Sequence, residues 1–212
     1  MLCYDTNVFI NRGLIDVKIR QKIFLQLEEK KECIILRSIE KELLHEHFPN
    51  LSTALAILDN QRNKGSFDDL FNSKLFEQFK QKYRPIAEYI LLNYKKERDI
   101  FSSLISIITS FSFLMRSSKC FFPMTLSEYE ELENNPPKEY SEMCNRVKNK
   151  DRIHLGLLEW YGTQISMNGK KSIKISFISC DRRHITKQTA IREIKDKYKF
   201  IEPVDCEDYF NS

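Results

Sequence analysis

The chain has 212 residues and a mass of 25.3 kDa, with 42% hydrophobic and 30% charged residues. That composition supports a full globular core, and only 5 Gly and 6 Pro leave little material for linkers. A net charge of +4 permits a polyanionic partner without demanding one. The most apolar run, FSSLISIITSFSFLM at 101–115, is interrupted by serine and shorter than the ~18–20 residues of a membrane span. Asp5 and Asn7 break any signal-like start, so the expectation is a cytoplasmic protein with no membrane partner.

The chain opens MLCYDTNVFI. LCY (2–4) reads as a short strand ended by Asp5, whose simplest role is to cap the helix that follows. IRQKIFLQLEEKK (19–31) has helical apolar spacing through Ile19, Ile23, Leu25 and Leu27, with charges on the other face. CIIL (33–36) reads as a second strand. SIEKELLHEHF (38–48) reads as a helix opening on Ser38, with Glu42 in its first turns. From 49 to 148 the periodicity is helical throughout, with a long pattern from Pro85 to Arg116 and a Pro136–Pro137 break. This stretch is expected to be a helical insertion or subdomain within one domain spanning 1–212.

NKDRIHLGLLEW (149–160) reads as a helix delivering Ile153, Leu157 and Trp160 to the sheet. IKISFIS (173–179) is a third strand and KFIEP (199–203), ended by Pro203, a fourth. Strands alternating with helices indicate a parallel sheet covered on both faces, with working residues at the carboxyl ends of its strands. The six cysteines, at 3, 33, 120, 144, 180 and 206, form no C-x-x-C pair, so neither a zinc site nor a redox motif is signalled. Cys3, Cys33 and Cys180 are expected to pack as free thiols in apolar surroundings.

Four acids stand at or near strand ends. Asp5 follows the first strand, Glu42 lies in the helix after the second, Asp181 follows the third in FISCDRRH, and Asp151 opens the 149–160 helix. Each alone has a plain reading as a helix cap or a solvated side chain, and Glu40 and Glu46 compete with Glu42. Together they would conflict, because two carboxylates about 5 Å apart repel by roughly 3 kcal/mol at an effective dielectric near 20. Hard divalent cations, Mg2+ or Mn2+, would hold such a group together and could activate water for phosphodiester displacement.

In this order the motifs resemble those of the PIN-domain nucleases, a family of small metal-dependent ribonucleases that includes toxins of toxin–antitoxin pairs. The matching pieces are CYDTNVFI, EKELLHE, KDRIHLGLLEW, ISFISCDRRHI and KFIEPVDCEDYF, covering roughly 1–47 and 146–212. The resemblance implies a three-layer α/β/α fold with a central parallel sheet of four to five short strands, here enlarged by the helical insertion. It implies an endoribonuclease whose catalytic and metal-holding residues are Asp5, Glu42, Asp151 and Asp181, with Thr6, Asn7 and Ser179 orienting the carboxylates. RNA is the implied substrate, and an inhibitory antitoxin-like protein or a second copy of the chain is the implied kind of partner. The insertion is longer than in a minimal member, and Leu155, Gly156 and Leu157 replace a usually Ala-rich sequence.

Lys148, Lys150 and Arg152 flank Asp151, and Arg182, Arg183 and Lys187 follow Asp181. They read either as a solvated face or as contacts to substrate phosphates. His154 and His184 read as packing or surface histidines, with assistance to proton transfer as the alternative. A haloacid-dehalogenase-like phosphatase needs a second Asp two residues after the first, and Asn7 stands there. The remaining alternative is a catalytically degenerate PIN-fold module that binds RNA or protein through its helical insertion.

Overall fold

Four short apolar runs pair side by side into one parallel sheet. In the computed structural model, which describes residues 1–28, 33–97, 99–117, 124–147, 151–167, 173–181 and 185–211, the strands are β1 (Leu2–Tyr4), β2 (Cys33–Ile34), β3 (Ile175–Ser179) and β4 (Ile201–Asp205). Their order is β2-β1-β3-β4, all parallel. β1 is therefore interior, with Leu2 opposite Cys33 on one side and Ser176 on the other. Cys3, Tyr4, Ile34, Phe177 and Ile178 are all buried, as expected of a parallel sheet whose strands bury both faces. β4 continues through Pro203, where the sequence pattern placed its end. It is an edge strand paired only with β3, and an edge tolerates the missing N–H of proline.

Most of the chain is helical around this small sheet, an arrangement compatible with an α/β fold. After β1 a short helix α1 (Thr6–Val8) runs into a π-helical stretch, Phe9–Gly13, and α2 (Val17–Glu28) returns toward β2. After β2, α3 (Arg37–Lys41) passes into a second π-helical stretch, Glu42–His47, and then into α4 (Phe48–Arg62). The helix begins one residue earlier than the sequence suggested. Leu36 is at the N-cap position, and Ser38 does not cap it.

Between 49 and 148 the described residues contain no strand. The helices are α5 (Phe67–Phe71), α6 (Lys74–Lys82), α7 (Arg84–Asn93), α8 (Ile100–Ser117), α9 (Leu126–Asn134) and α10 (Lys138–Cys144). The long pattern from Pro85 to Arg116 is thus two helices. Ser66 and Thr125 open α5 and α9 with reciprocal side-chain caps, which satisfy free N–H groups at each start. Phe111 of α8 packs edge-on against Phe9 and Phe24, at ring-centre distances of 5.6 and 4.8 Å, and stacks on Phe48 at 6.2 Å. These contacts join the helical region to the segments around the sheet in one hydrophobic core. No helix among the described residues is long and apolar enough to cross a membrane.

α11 (Arg152–Met167) leads into β3, and α12 (Gln188–Lys197) and α13 (Cys206–Asn211) flank β4. The buried face of α11 carries His154, Leu155, Leu158 and Tyr161, with Leu157 buried beside it. Ile153, placed inside by the sequence reading, is 43% exposed, and Trp160 is half-buried against Tyr140 of α10. The expectation of a free thiol at Cys180 is also overturned, since Cys180 and Cys206 form a disulfide. The register explains it: Ser179 pairs with Asp205, so the next residue of each strand comes side by side, with Cα atoms 5.3 Å apart, inside the range a disulfide can span. Cys3, Cys33 and Cys144 are free thiols; Cys120 lies outside the described residues.

α10 packs closely on α11 at Gly156. A Cβ added at Gly156 would collide with Cys144 Sγ and come within 2.9 Å of the Cys144 Cα and N, where backbone cannot yield. Alanine normally favours a helix over glycine by about 1 kcal/mol, but overpacking typically costs about 1–3 kcal/mol. Gly156→Ala is therefore expected to lower the denaturant midpoint, and an unchanged or raised midpoint would show that the two helices can separate.

Candidate metal centre

The site forms where β1 and β3 end. The Asp5 N–H donates to Ile178 O at 2.9 Å, so the sheet still holds the Asp5 backbone one residue beyond β1. Asp5 occupies the N-cap position of α1, yet its side chain makes no capping bond. Its Oδ2 accepts from Asn7 Nδ2 at 2.6 Å and from Ser179 Oγ at 2.7 Å. The Asn7 side-chain oxygen in turn accepts from the Cys180 N–H at 2.8 Å. Two neighbouring strand ends are thus tied together through one carboxylate, which is only 2% exposed.

Glu42 is the first residue of the second π-helical stretch. Thr6 Oγ1 donates to its Oε2 at 2.7 Å, and its Oε1 lies 3.2 Å from His154 Nε2. His154 Nδ1 is 2.8 Å from Ser38 Oγ, which explains why Ser38 does not serve as a cap. The imidazole is buried and bridges α3 to the π-helical stretch that follows it. Such wide turns recur at functional sites because the added residue re-aims the side chains around it.

Asp5, Asp151 and His154 are all buried, and each offers a ligand atom within 4.8 Å of the other two. Two carboxylates and an imidazole are chemically suited to a divalent cation, and the nitrogen favours Mn2+ or a softer ion over Mg2+. Burial opposes the charged form of His154, but the hydrogen bond and charge of Glu42, with Asp5 and Asp151 behind it, outweigh that and raise its pKa. Burial likewise opposes ionisation of Glu42. The hydrogen bond and charge of His154 and the bond from Thr6 overcome it and lower the pKa.

Asp5, Glu42 and Asp151 line one pocket of about 390 Å3, together with Thr6, Asn7 and Tyr83. Asp181 directly follows β3, and its N–H donates to Ser179 Oγ at 3.0 Å, the same hydroxyl that binds Asp5. Its side chain is outside both this pocket and the three-residue group. Of the competing acids, Glu40 pairs with Arg37 at 2.6 Å, while Glu46 lies at the pocket and is exposed. Arg152 is exposed with Nη1 3.4 Å from Asn145 Oδ1, and Lys187 is exposed at the N-cap of α12. Lys148, Lys150, Arg182, Arg183 and His184 lie outside the described residues.

The sequence reading missed Ser38 and Tyr83 and gave His154 too small a part. One signal was available: Asp151 and His154 are three apart at a helix start, which puts them on the same face. Comparison with known protein families, with characterised proteins and with solved structures finds no match to this chain.

The His154–Glu42 pair makes stability depend on pH when no metal is bound. A raised histidine stabilises fully below its unfolded pKa, about 6.5, and that contribution is lost as pH rises through the higher folded value. A lowered glutamate stabilises above its unfolded pKa, about 4.3, and loses that as pH falls through the folded value. In EDTA the melting temperature of the wild type should therefore fall more steeply than that of His154→Gln as pH rises from about 6.5 to 9. Parallel curves would mean that the pair is not formed in solution.

Proposed function

We propose that this chain is a metal-dependent endoribonuclease of the PIN-like kind, with a three-layer α/β/α architecture, acting at the pocket lined by Asp5, Glu42 and Asp151. The observation that carries the reading is the convergence of two buried carboxylates and a buried imidazole within 4.8 Å, at the carboxyl edge of a parallel sheet. The order of the sequence motifs supports it, and the choice of RNA rests on that resemblance.

Asp5, Asp151 and His154 would hold the cation. When bound, a divalent ion lowers the pKa of its water and offsets the charge of a phosphodiester. Asn7 and Ser179 fix the plane of the Asp5 carboxylate, and Thr6 fixes that of Glu42. Without metal, Glu42 favours the protonated form of His154. An imidazolium cannot be a ligand, so metal binding at this nitrogen releases a proton and strengthens as pH rises.

A second reading, a degenerate module that binds RNA or protein without cutting it, is favoured by one observation: the fourth acid, Asp181, has its side chain outside the pocket. The two readings differ in one assay. The nuclease reading expects purified protein to cut single-stranded RNA with Mn2+ or Mg2+ and to stop in EDTA. Binding without cleavage in either metal would leave only the second.

Asp5→Asn nearly preserves shape and removes one like charge, so it should abolish cleavage without unfolding the protein. In EDTA the variant should melt at or above the wild-type temperature. Saturating metal should raise the wild-type melting temperature, since a ligand at 100 times its Kd contributes about 2.7 kcal/mol, and the variant's much less. A variant that still cuts RNA would remove Asp5 from the site.

Lys80 and Lys82 of α6 and Arg84 at the start of α7 lead up to the pocket residue Tyr83. If they meet the RNA backbone, reversing all three charges should weaken RNA binding and flatten its salt dependence while leaving metal affinity unchanged. Unchanged RNA affinity would confine this region to packing.

A further inference from the structure

One wall of the acidic pocket comes from the helical region and carries a polar group with no partner among the described residues. Tyr83 lines the pocket with Asp5, Glu42 and Asp151. The residue is only 6% exposed, and its hydroxyl is buried with no hydrogen-bond partner among the described residues. Leaving a buried hydroxyl unbonded typically costs about 1–3 kcal/mol, so a phenol kept in that state calls for an explanation. Phenylalanine would fill the same apolar space at no such cost.

The position of the ring is also over-determined. Tyr83 is the single residue between α6 and α7, ending one helix and preceding the other. Its N–H donates to Phe79 O at 2.7 Å, and its carbonyl accepts from the N–H groups of Ile86 and Ala87 at 3.1 and 3.0 Å. Pro85 stiffens the start of α7. The ring packs against Phe79 at 5.3 Å, and Lys82 Nζ lies 5.2 Å from its centre. The phenol is thus held from both sides, with its donor unused among the described residues.

We propose that Tyr83 is a substrate-binding residue whose hydroxyl donates a hydrogen bond to a non-bridging phosphate oxygen of the nucleic-acid chain held at the pocket. The acids around it cannot serve this purpose, because carboxylates repel phosphate; a neutral donor can. A phosphate oxygen brought beside a cation at Asp5 and Asp151 reaches a pocket in which Tyr83 supplies an O–H. No proton is transferred and no bond is broken in this step. The helical region then completes the substrate site, and the sheet edge alone does not form it. This inference rests on the metal-dependent phosphodiester reading above.

The test uses the full chain and a probe that cannot be cut, adenosine 5′-monophosphate, whose phosphate represents the product end of a hydrolysed strand. Calorimetric titration measures Mn2+ binding first and then nucleotide binding with Mn2+ saturating, for the wild type and Tyr83→Phe. The expected result is a roughly tenfold or greater loss of nucleotide affinity in the variant. Mn2+ affinity should be unchanged and the melting temperature equal or higher, because a buried unbonded hydroxyl has been removed. Tyr83→Phe binding the nucleotide as tightly as the wild type would overturn the proposal, as would wild-type protein that binds Mn2+ but no nucleotide. Wild-type protein that binds no Mn2+ would overturn the metal-site reading itself, and this inference with it. If Tyr83→Phe melts lower than the wild type, Tyr83→4-aminophenylalanine, which keeps the ring and puts an N–H donor where the hydroxyl was, should recover part of the nucleotide affinity. No recovery would overturn the proposal.

Discussion

Charge repulsion at the carboxyl edge of the sheet is the constraint around which the rest is arranged. Asp5 and Asp151 are buried with ligand atoms within 4.8 Å of each other, a separation at which two carboxylates repel by roughly 3 kcal/mol at an effective dielectric near 20, and Glu42 pairs with the neighbouring His154. Hydrophobic packing cannot offset this locally, because it draws apolar surface together without regard to charge. The relief has to be polar and aimed. Asn7 and Ser179 donate to Asp5, Thr6 donates to Glu42, and His154 sits between Glu42 and the two aspartates. Every one of these donors is uncharged except the histidine, whose charge depends on its proton.

The scaffold's departures from regular structure gather at the same place. Both chain segments that leave the carboxyl edge through Asp5 and Glu42 include π-helical stretches, Phe9–Gly13 and Glu42–His47. Glu42 opens the second of these stretches, and its two oxygens reach Thr6 and His154 separately. The disulfide between Cys180 and Cys206 ties β3 and β4 one residue beyond their pairing. Cys180 also donates its N–H to Asn7, so the cross-link and the Asp5 hydrogen bonds hold one continuous edge.

What was legible in the sequence follows from the range over which each signal acts. The strand cores at 2–4, 33–34, 175–179 and 201–205 were readable because a buried parallel strand is a short unbroken apolar run. The helical character of 49–148 was readable from its period. The candidate acids could be picked out from local features: Asp5 and Asp181 each follow a strand, Glu42 lies in the helix after one, and Asp151 opens a helix. Ser38 was read as a helix start because start signals are local, and its side-chain partner is His154, more than a hundred residues away. The face of α11 was rotated by one position for a related reason. Ile153 is the more apolar residue, but His154 is buried through bonds that only the fold supplies. Pairing of Cys180 with Cys206 depends on strand register, which no spacing rule encodes. Tyr83 had no motif at all, and only its place between two helices brings it to the pocket.

The helical region and the acidic edge are best understood as parts of one solution to the same energetic conflict. Four short strands bury too little surface to hold a charged cluster against its own repulsion. The additional apolar mass comes from the helices, with Phe111 of α8 packed between Phe9, Phe24 and Phe48. Phe9 follows Asp5 by four residues, and Phe48 follows the Glu42–His47 stretch directly. The side chain that anchors the helical region is thus wedged against the two segments that carry the acids away from the sheet. Stabilisation generated far from the pocket reaches it through those two segments. On this view the helical region cannot be removed to leave the sheet with its site intact, because the packing that keeps Asp5 and Glu42 in place passes through it.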